Sequence, residues 1–342
     1  INSGTLQAGA INVLSPSSPV ILADSATALF DLNDFNQTIG SLSGGGTTGG
    51  NIALGHAVLL INQTTPATYA GVISGTGNVV LSTGSTSTLT LAGTNTYTGS
   101  TSVRAGNLSV NTDANLGAAP GVVTTNAVNL NGGTLEVGAS FTLDQNRGVT
   151  LGASGGSIQV DPTFTLTYNG VVAGNGPVNK TGTGTLVLGG ENTYTGATTI
   201  TAGSIQTAIT DAIATTSSVI MTDAAGTLLD LNGFDQTIGT LSGGGTTGGN
   251  ITLGNATLSV IEGTASTYAG VISGTGGLTK DGSETLTLTG NNTYTGTTFV
   301  KSGSLKAGAA NVISSLSPVV LANVSGPTFD LNSFNQSIGT LS

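Results

Sequence analysis

Short apolar runs alternate with polar residues along this chain. Leu89-Thr-Leu91, Leu186-Val-Leu188 and Leu286-Thr-Leu288 put a branched apolar side chain at every second position. That is the period of a β-strand with one face buried. The runs last a few residues and end in Gly, Asn or Asp-Gly, which bend the backbone cheaply. Val271, Leu278 and Leu286 mark successive runs seven and eight residues apart. Three such strands would close a turn of about 22 residues, a size typical of solenoid repeats. The pattern predicts strands over 19–23, 29–33, 52–54 and 58–61, with a Gly-rich loop over 43–51. It extends to roughly 15 turns, about 70 Å at the spacing of neighbouring strands.

A longer period lies over this one. Asn95-Thr-Tyr-Thr-Gly99 returns as Asn192-Thr-Tyr-Thr-Gly196 and Asn292-Thr-Tyr-Thr-Gly296. Tyr97, Tyr194 and Tyr294 are 97 and then 100 residues apart (194 − 97; 294 − 194). Asp31-Leu-Asn returns at Asp230 and Asp330, and the first two copies run on into the same Leu-Ser-Gly-Gly-Gly-Thr-Thr-Gly-Gly-Asn. The chain therefore reads as one continuous β-solenoid of modules near 100 residues: 1–105, a divergent 106–202, 203–302 and a partial 303–342. The divergent module lacks the Asp-Leu-Asn run and the Gly-rich loop. An antiparallel sandwich would also give short strands and Gly turns, but not a repeat in which half the module is exchanged. The chain starts and stops inside a repeat, which reads as a segment of a longer protein.

Composition narrows the function. Only 6% of residues are charged and 55 are Gly, with no Cys or Trp. Thr, Ser, Asn and β-branched residues favour strands over helices. A formal net charge of −10 with six Lys and Arg leaves no basic footprint for nucleic acid. No run is long and apolar enough for a membrane helix, so no membrane insertion of this segment is expected. The absence of Cys is compatible with an extracellular place. Aromatic content of 4% suits a core too thin for large rings.

The run from Gly270-Val-Ile-Ser-Gly-Thr-Gly-Gly-Leu-Thr-Lys through Asn292-Thr-Tyr-Thr-Gly to Gly303-Ser-Leu305 resembles the autotransporter-associated β-strand repeat, or passenger-associated transport repeat. Residues 170–205 match it as well, and 71–108 more loosely, with Ser82 where Lys180 and Lys280 occur. The resemblance implies a right-handed parallel β-helix in the secreted passenger of a bacterial surface protein, with the repeat linked to secretion and folding outside the cell.

Candidate chemistry is sparse. Asp31, Asp230 and Asp330 do not make an acid pair, because paired catalysis needs two carboxylates within roughly 10 Å and these recur a module or two apart. A corner hydrogen bond is the plainer role. Tyr97, Tyr194 and Tyr294 would either form a surface row that stacks on sugars or pack at corners. His56 is the only histidine and reads as an exposed turn residue. No metal, catalytic or cofactor-binding set is expected. The reading is a non-enzymatic stalk of a secreted surface protein, an adhesin or self-associating passenger. A segment of an extracellular filament is the alternative, and a polysaccharide-active β-helix enzyme the weaker one. Expected partners are neighbouring copies, a host or bacterial surface, or a glycan.

Overall fold

The computed structural model describes residues 1–342. It is built of parallel strands two to seven residues long, with one short 3-10 turn at Asp113–Leu116. No helix is long and apolar enough to cross a membrane. Two compact units divide at 176/177, inside the second sequence module.

In residues 1–176 the chain visits three faces in rotation. Leu29–Asp31 lies on the first, Gln37–Ile39 on the second and Leu42–Gly44 on the third. Asn51–Ala53 then returns to the first face, with Leu29 opposite Asn51 and Phe30 opposite Ile52. One turn is thus 22 residues (51 − 29), the size the apolar spacing predicts. The second face stacks seven strands, from Gln37–Ile39 to Val172–Gly174. Its regularity breaks at Thr124–Leu130, where the register against Arg147–Leu151 shifts between Thr124 and Val128. The preceding loop leaves Val122 and Val123 exposed.

In residues 177–342 the first face runs from Thr185–Leu188 to Ile272–Ser273. The second runs from Gln236–Ile238 to Val319–Leu321, and the third from Val178–Thr181 to Thr328–Asp330. Strands 178–181, 198–200, 219–221, 241–243 and 266–268 stack on the third face. Leu278–Asp281, which repeats Val178–Thr181 in sequence, lies instead on the second face. A module of 100 residues (278 − 178) is therefore four turns and two thirds, not a whole number. The later copy of the motif thus starts on a different face from the earlier one.

Burial follows the strand period. Thr285–Leu288 and Thr185–Leu188 bury Leu286, Leu288, Leu186 and Leu188 and turn the residues between them outward. Each fully buried branched side chain contributes roughly 1.5–3 kcal/mol. The expectation of a core too thin for rings fails. All six tyrosines, and Phe30 with them, are buried. They fit because each phenol reaches a polar partner at a corner, so the ring is buried without stranding its hydroxyl.

Candidate functional site

The Asn-x-Tyr loop takes the place of a strand. In the last copy no strand forms between Thr285–Leu288 and Thr298–Val300. The loop still stacks, because Thr293 N donates to Ile272 O (2.9 Å), Thr295 N to Gly274 O (3.0 Å) and Gly296 N to Gly276 O (3.0 Å). Asn292 is buried inside it and ties three turns together. Its Oδ1 accepts from Ile272 N (2.7 Å) in the turn before. Its Nδ2 donates to Val312 O (2.7 Å) in the turn after, and to Gly290 O (3.2 Å). Asn95 does the same, accepting from Ile73 N (2.8 Å) and donating to Asn115 O (2.6 Å). Asn192 Nδ2 donates to Ala212 O (2.6 Å).

The tyrosine closes a second polar chain. Tyr294 shares a hydrogen bond with Thr298 Oγ1 (2.6 Å), and Thr298 Oγ1 shares one with Ser317 Oγ (2.8 Å). Ser317 Oγ also donates to Gly296 O (2.7 Å). Tyr194, Thr198, Ser217 and Gly196 repeat that arrangement. Tyr97 pairs with Thr101 (2.6 Å). Where a serine would follow, the first copy has the 3-10 turn, held by buried Arg147. Its guanidinium donates to Asp113 Oδ1 (2.7 Å), Asp113 Oδ2 (3.0 Å), Leu116 O (3.0 Å) and Gly117 O (2.6 Å). Burial pushes the Tyr97 phenol up to about 12 and raises Tyr194 and Tyr294 as well. These phenols stay un-ionised. A surface row of stacking rings is excluded, because all three are buried.

Lys180 and Lys280 point inward and are wholly buried. Lys180 Nζ donates to Thr181 O (2.8 Å), Gly182 O (2.8 Å) and Ala202 O (3.2 Å). Lys280 Nζ donates to Asp281 O (2.7 Å), Gly282 O (2.9 Å) and Ser302 O (3.2 Å). An ammonium has three protons, and three corner carbonyls receive them. Desolvation still pulls Lys180 down to about 8 and lowers Lys280. The sequence reading sets Ser82 at this position, and the strand register corrects that. Leu278 and Lys280 pair with Thr298 and Val300 as Val79 and Leu81 pair with Thr101 and Val103. Leu81 is therefore the counterpart of Lys280. The following turn is two residues longer in the first copy (89 − 81 against 286 − 280), so a count back from the tyrosine stops short of Leu81.

The repeated aspartates lie at corners. Asp31, Asp230 and Asp330 Oδ1 accept from the amides of Asn33 (2.9 Å), Asn232 (2.9 Å) and Asn332 (2.8 Å). Those asparagines hold positive φ of 47°, 47° and 48°. Asp31 and Asp230 also accept from Gln7 (2.7 Å) and Gln206 (2.8 Å), while Lys306 stands 4.0 Å from Asp330. Asp230 and Asp330 are on different faces, the first and the third. The geometry converges no two of these acids. His56 is exposed, with Nδ1 3.1 Å from Asp34 Oδ1. No group of three or more His, Cys, Asp or Glu is placed to hold a metal.

Two further acids organise the Gly-rich loops, and the sequence reading missed them. Asp24 Oδ1 accepts from Thr48 N (2.8 Å) and Gly49 N (2.9 Å). Asp223 does so from Thr247 N (2.7 Å) and Gly248 N (2.9 Å). From the inner side, Tyr69 donates to Gly50 O (2.8 Å) and Tyr268 to Gly249 O (2.7 Å). Their repetition at an offset of 199 is the signal that would have found them.

A known family model matches the parts of the chain that carry the Asn-x-Tyr geometry. The passenger-associated-transport-repeat family model matches residues 85–110, 178–206 and 278–307. These spans hold the three Asn-x-Tyr loops and the strands that flank them. The adhesin BmaC autotransporter of Brucella suis biovar 1 (strain 1330) is 40% identical over 181 residues, 52% of this chain. The chain spans only 5% of the length of that protein. No solved structure matches.

Proposed function

We propose that this chain, which carries three passenger-associated transport repeats, is a length of non-enzymatic stalk in a secreted bacterial surface protein. It works outside the cell, as part of an adhesive passenger. The observation that carries this reading is the direction of the repeated side chains. The Asn of the motif and, in the last two copies, its Lys point inward and bond to neighbouring turns, while the buried Tyr there bonds a threonine that is itself tied to the next turn. What repeats is the means of stacking, which suits a body whose task is reach. The aspartates that an enzyme reading would need are each tied to their own corner. Contact is made by faces of Thr, Ser and Asn, through many weak interactions, with neighbouring copies or a glycan-bearing surface as partner.

Electron microscopy of the purified parent protein, at several concentrations and without ligand, tests the proposal. Rods of one length are expected, single or in irregular side-by-side contact, with no end-to-end growth at any concentration. Regular filaments with a constant axial repeat would replace the stalk with a filament subunit.

A further inference from the structure

One buried carboxylate is left over from every network described so far. Glu262 follows strand Leu258–Ile261 and is 1% exposed. Its Oε1 accepts from Leu241 N (3.2 Å) and Ser266 Oγ (2.8 Å). Its Oε2 is buried and has no hydrogen-bond partner, and no other buried side-chain atom in the chain shares that condition. A bare carboxylate oxygen away from water is among the least favourable arrangements a core can hold.

The same corner occurs 199 residues earlier with its hydrogen bonds complete. There the residue is Gln63, also fully buried. Gln63 Oε1 accepts from Leu42 N (3.0 Å), as Glu262 Oε1 does from Leu241 N. Gln63 Nε2 donates to Thr65 O (2.8 Å). Thr264 is the equivalent of Thr65. The orphaned Oε2 therefore stands where its counterpart carries a donor, and a carboxylic acid can supply one in a single way.

We infer that Glu262 is protonated in the folded chain at neutral pH, with Oε2–H donating to the Thr264 carbonyl as Gln63 Nε2 does to Thr65. The corner is thereby an acid-stabilised latch between successive turns. The charged groups around it are few. Strand Leu241–Gly243 below contributes only backbone, and Ser266–Tyr268 contributes the Ser266 hydroxyl. Leu278–Asp281 above contributes Lys280 and Asp281. Lys280 gives its three protons to carbonyls, and no ion pair joins it to Glu262. Asp281 turns to Lys301 (2.7 Å) and Ser302 (2.7 Å). Glu284 acts on Lys280. Desolvation raises Glu262 above its ordinary 4.5, and the hydrogen bonds from Ser266 and Leu241 and, less, the field of Lys280 oppose this without reversing it. A raised folded pKa makes stability greatest at acid pH, and it declines as pH climbs from 4.5 through the folded value.

The chain has four glutamates, so carbon-13 labelling of their carboxyls gives four signals to follow. In the wild-type chain one signal is expected to stay in its protonated position at pH 7 while three have moved. Glu262→Gln is expected to remove that signal. Its thermal midpoint should match wild type at pH 4 and lie about 2 °C or more higher at pH 8. Four ionised carboxyls at pH 7 in the wild type would overturn the inference, whether or not the variant folds. So would a Glu262→Gln chain less stable than wild type at pH 8, the mark of an ion pair with Lys280.

Discussion

Two corners of this chain solve one problem in different ways. In residues 1–176, Gln63 faces a turn whose inward residue is Leu81. In residues 177–342, Glu262 faces a turn whose inward residue is Lys280. The backbone register is the same, with Leu81 opposite Ile61 and Lys280 opposite Val260 after the same 199-residue shift on both strands. In the first corner an apolar side chain fills the core, and small hydroxyls finish the polar work: Ser85 Oγ donates to Ile61 O (2.9 Å) and accepts from Gln63 N (3.0 Å). In the second, one long side chain does both. Its methylenes fill the core and its ammonium ends on three carbonyls. The solenoid therefore requires an inward volume and a full set of corner hydrogen bonds at this place, and it accepts either chemistry that supplies both.

The largest effect comes from a part that both halves of the comparison carry outside these corners, the Asn of the Asn-x-Tyr loop. Asn292→Ala takes away the bridge between three turns. It strands Ile272 N–H and Val312 C=O in the core, as Asn95→Ala would strand Ile73 and Asn115. A loss of about 3 kcal/mol is expected from two unsatisfied buried groups. Hydrogen exchange should speed up at Ile272 and Thr293 before other sites. The exposed neighbour Asn291 serves as control, and its replacement by Ala should change stability by less than about 0.5 kcal/mol.

A smaller effect sharpens the contrast itself. Lys280→Leu copies Leu81 but leaves the Asp281 and Ser302 carbonyls without their donor and Gly282 O with the Ser302 hydroxyl alone (3.0 Å), a loss of about 2 kcal/mol. Pairing it with Glu262→Gln rebuilds the side chains of the first corner without its Ser85. Urea denaturation of both single variants and the double gives the coupling. With a neutral Glu262 the two changes add within about 0.5 kcal/mol. A larger coupling would show that the charges speak to each other.

Below that stands the phenol. Tyr294→Phe keeps the ring and removes only the bond to Thr298, which retains Ser317. A loss of about 1 kcal/mol is expected. Tyr97→Phe leaves Thr101 without its tyrosine and has no serine to compensate, so its loss should be the larger of the two.

The fold is legible in the sequence because its signals are periodic. Inward Leu and Val at every second position, and bends at Gly and Asn, fix strand length, turn size and parallel stacking without reference to any one residue. What escapes is non-periodic or two-sided. Lys280 breaks an apolar alternation, and only the carbonyls of a neighbouring turn explain why a charge sits inward. Its counterpart in the first copy, Leu81, is missed because two extra residues in a turn are invisible until strand register is known. The rotation of the motif from face to face is hidden for the same reason, since 100 residues is a length and not an angle. Asp24 acts on a loop 24 residues further along the chain (48 − 24), and no local pattern announces that. Tyrosine is misleading because its rarity suggests lack of room, when each ring has its own polar end-stop.

The smallest expected effect concerns the residues that first suggested chemistry. Asp230 Oδ1 holds the Asn232 amide, and its Oδ2 receives Gln206 Nε2. An amide oxygen can do the first of these as well as a carboxylate can, since Asn and Asp both close turns of this kind. Asp230→Asn should therefore change stability by less than about 0.5 kcal/mol, and Asp330→Asn by no more, its lysine being 4.0 Å away at the surface. Asp230→Ala is the informative partner. It removes the acceptor from an amide whose residue holds φ of 47°, and about 1 kcal/mol should go with it. Equal losses for Asn and Ala would mean that the charge matters at this corner, and would reopen the reading of these aspartates as more than turn closures. A near-silent Asn beside a costly Ala ties them to closing their own corner, where Asn232 holds its positive φ, while Asn292 and Lys280 hold one turn against the next.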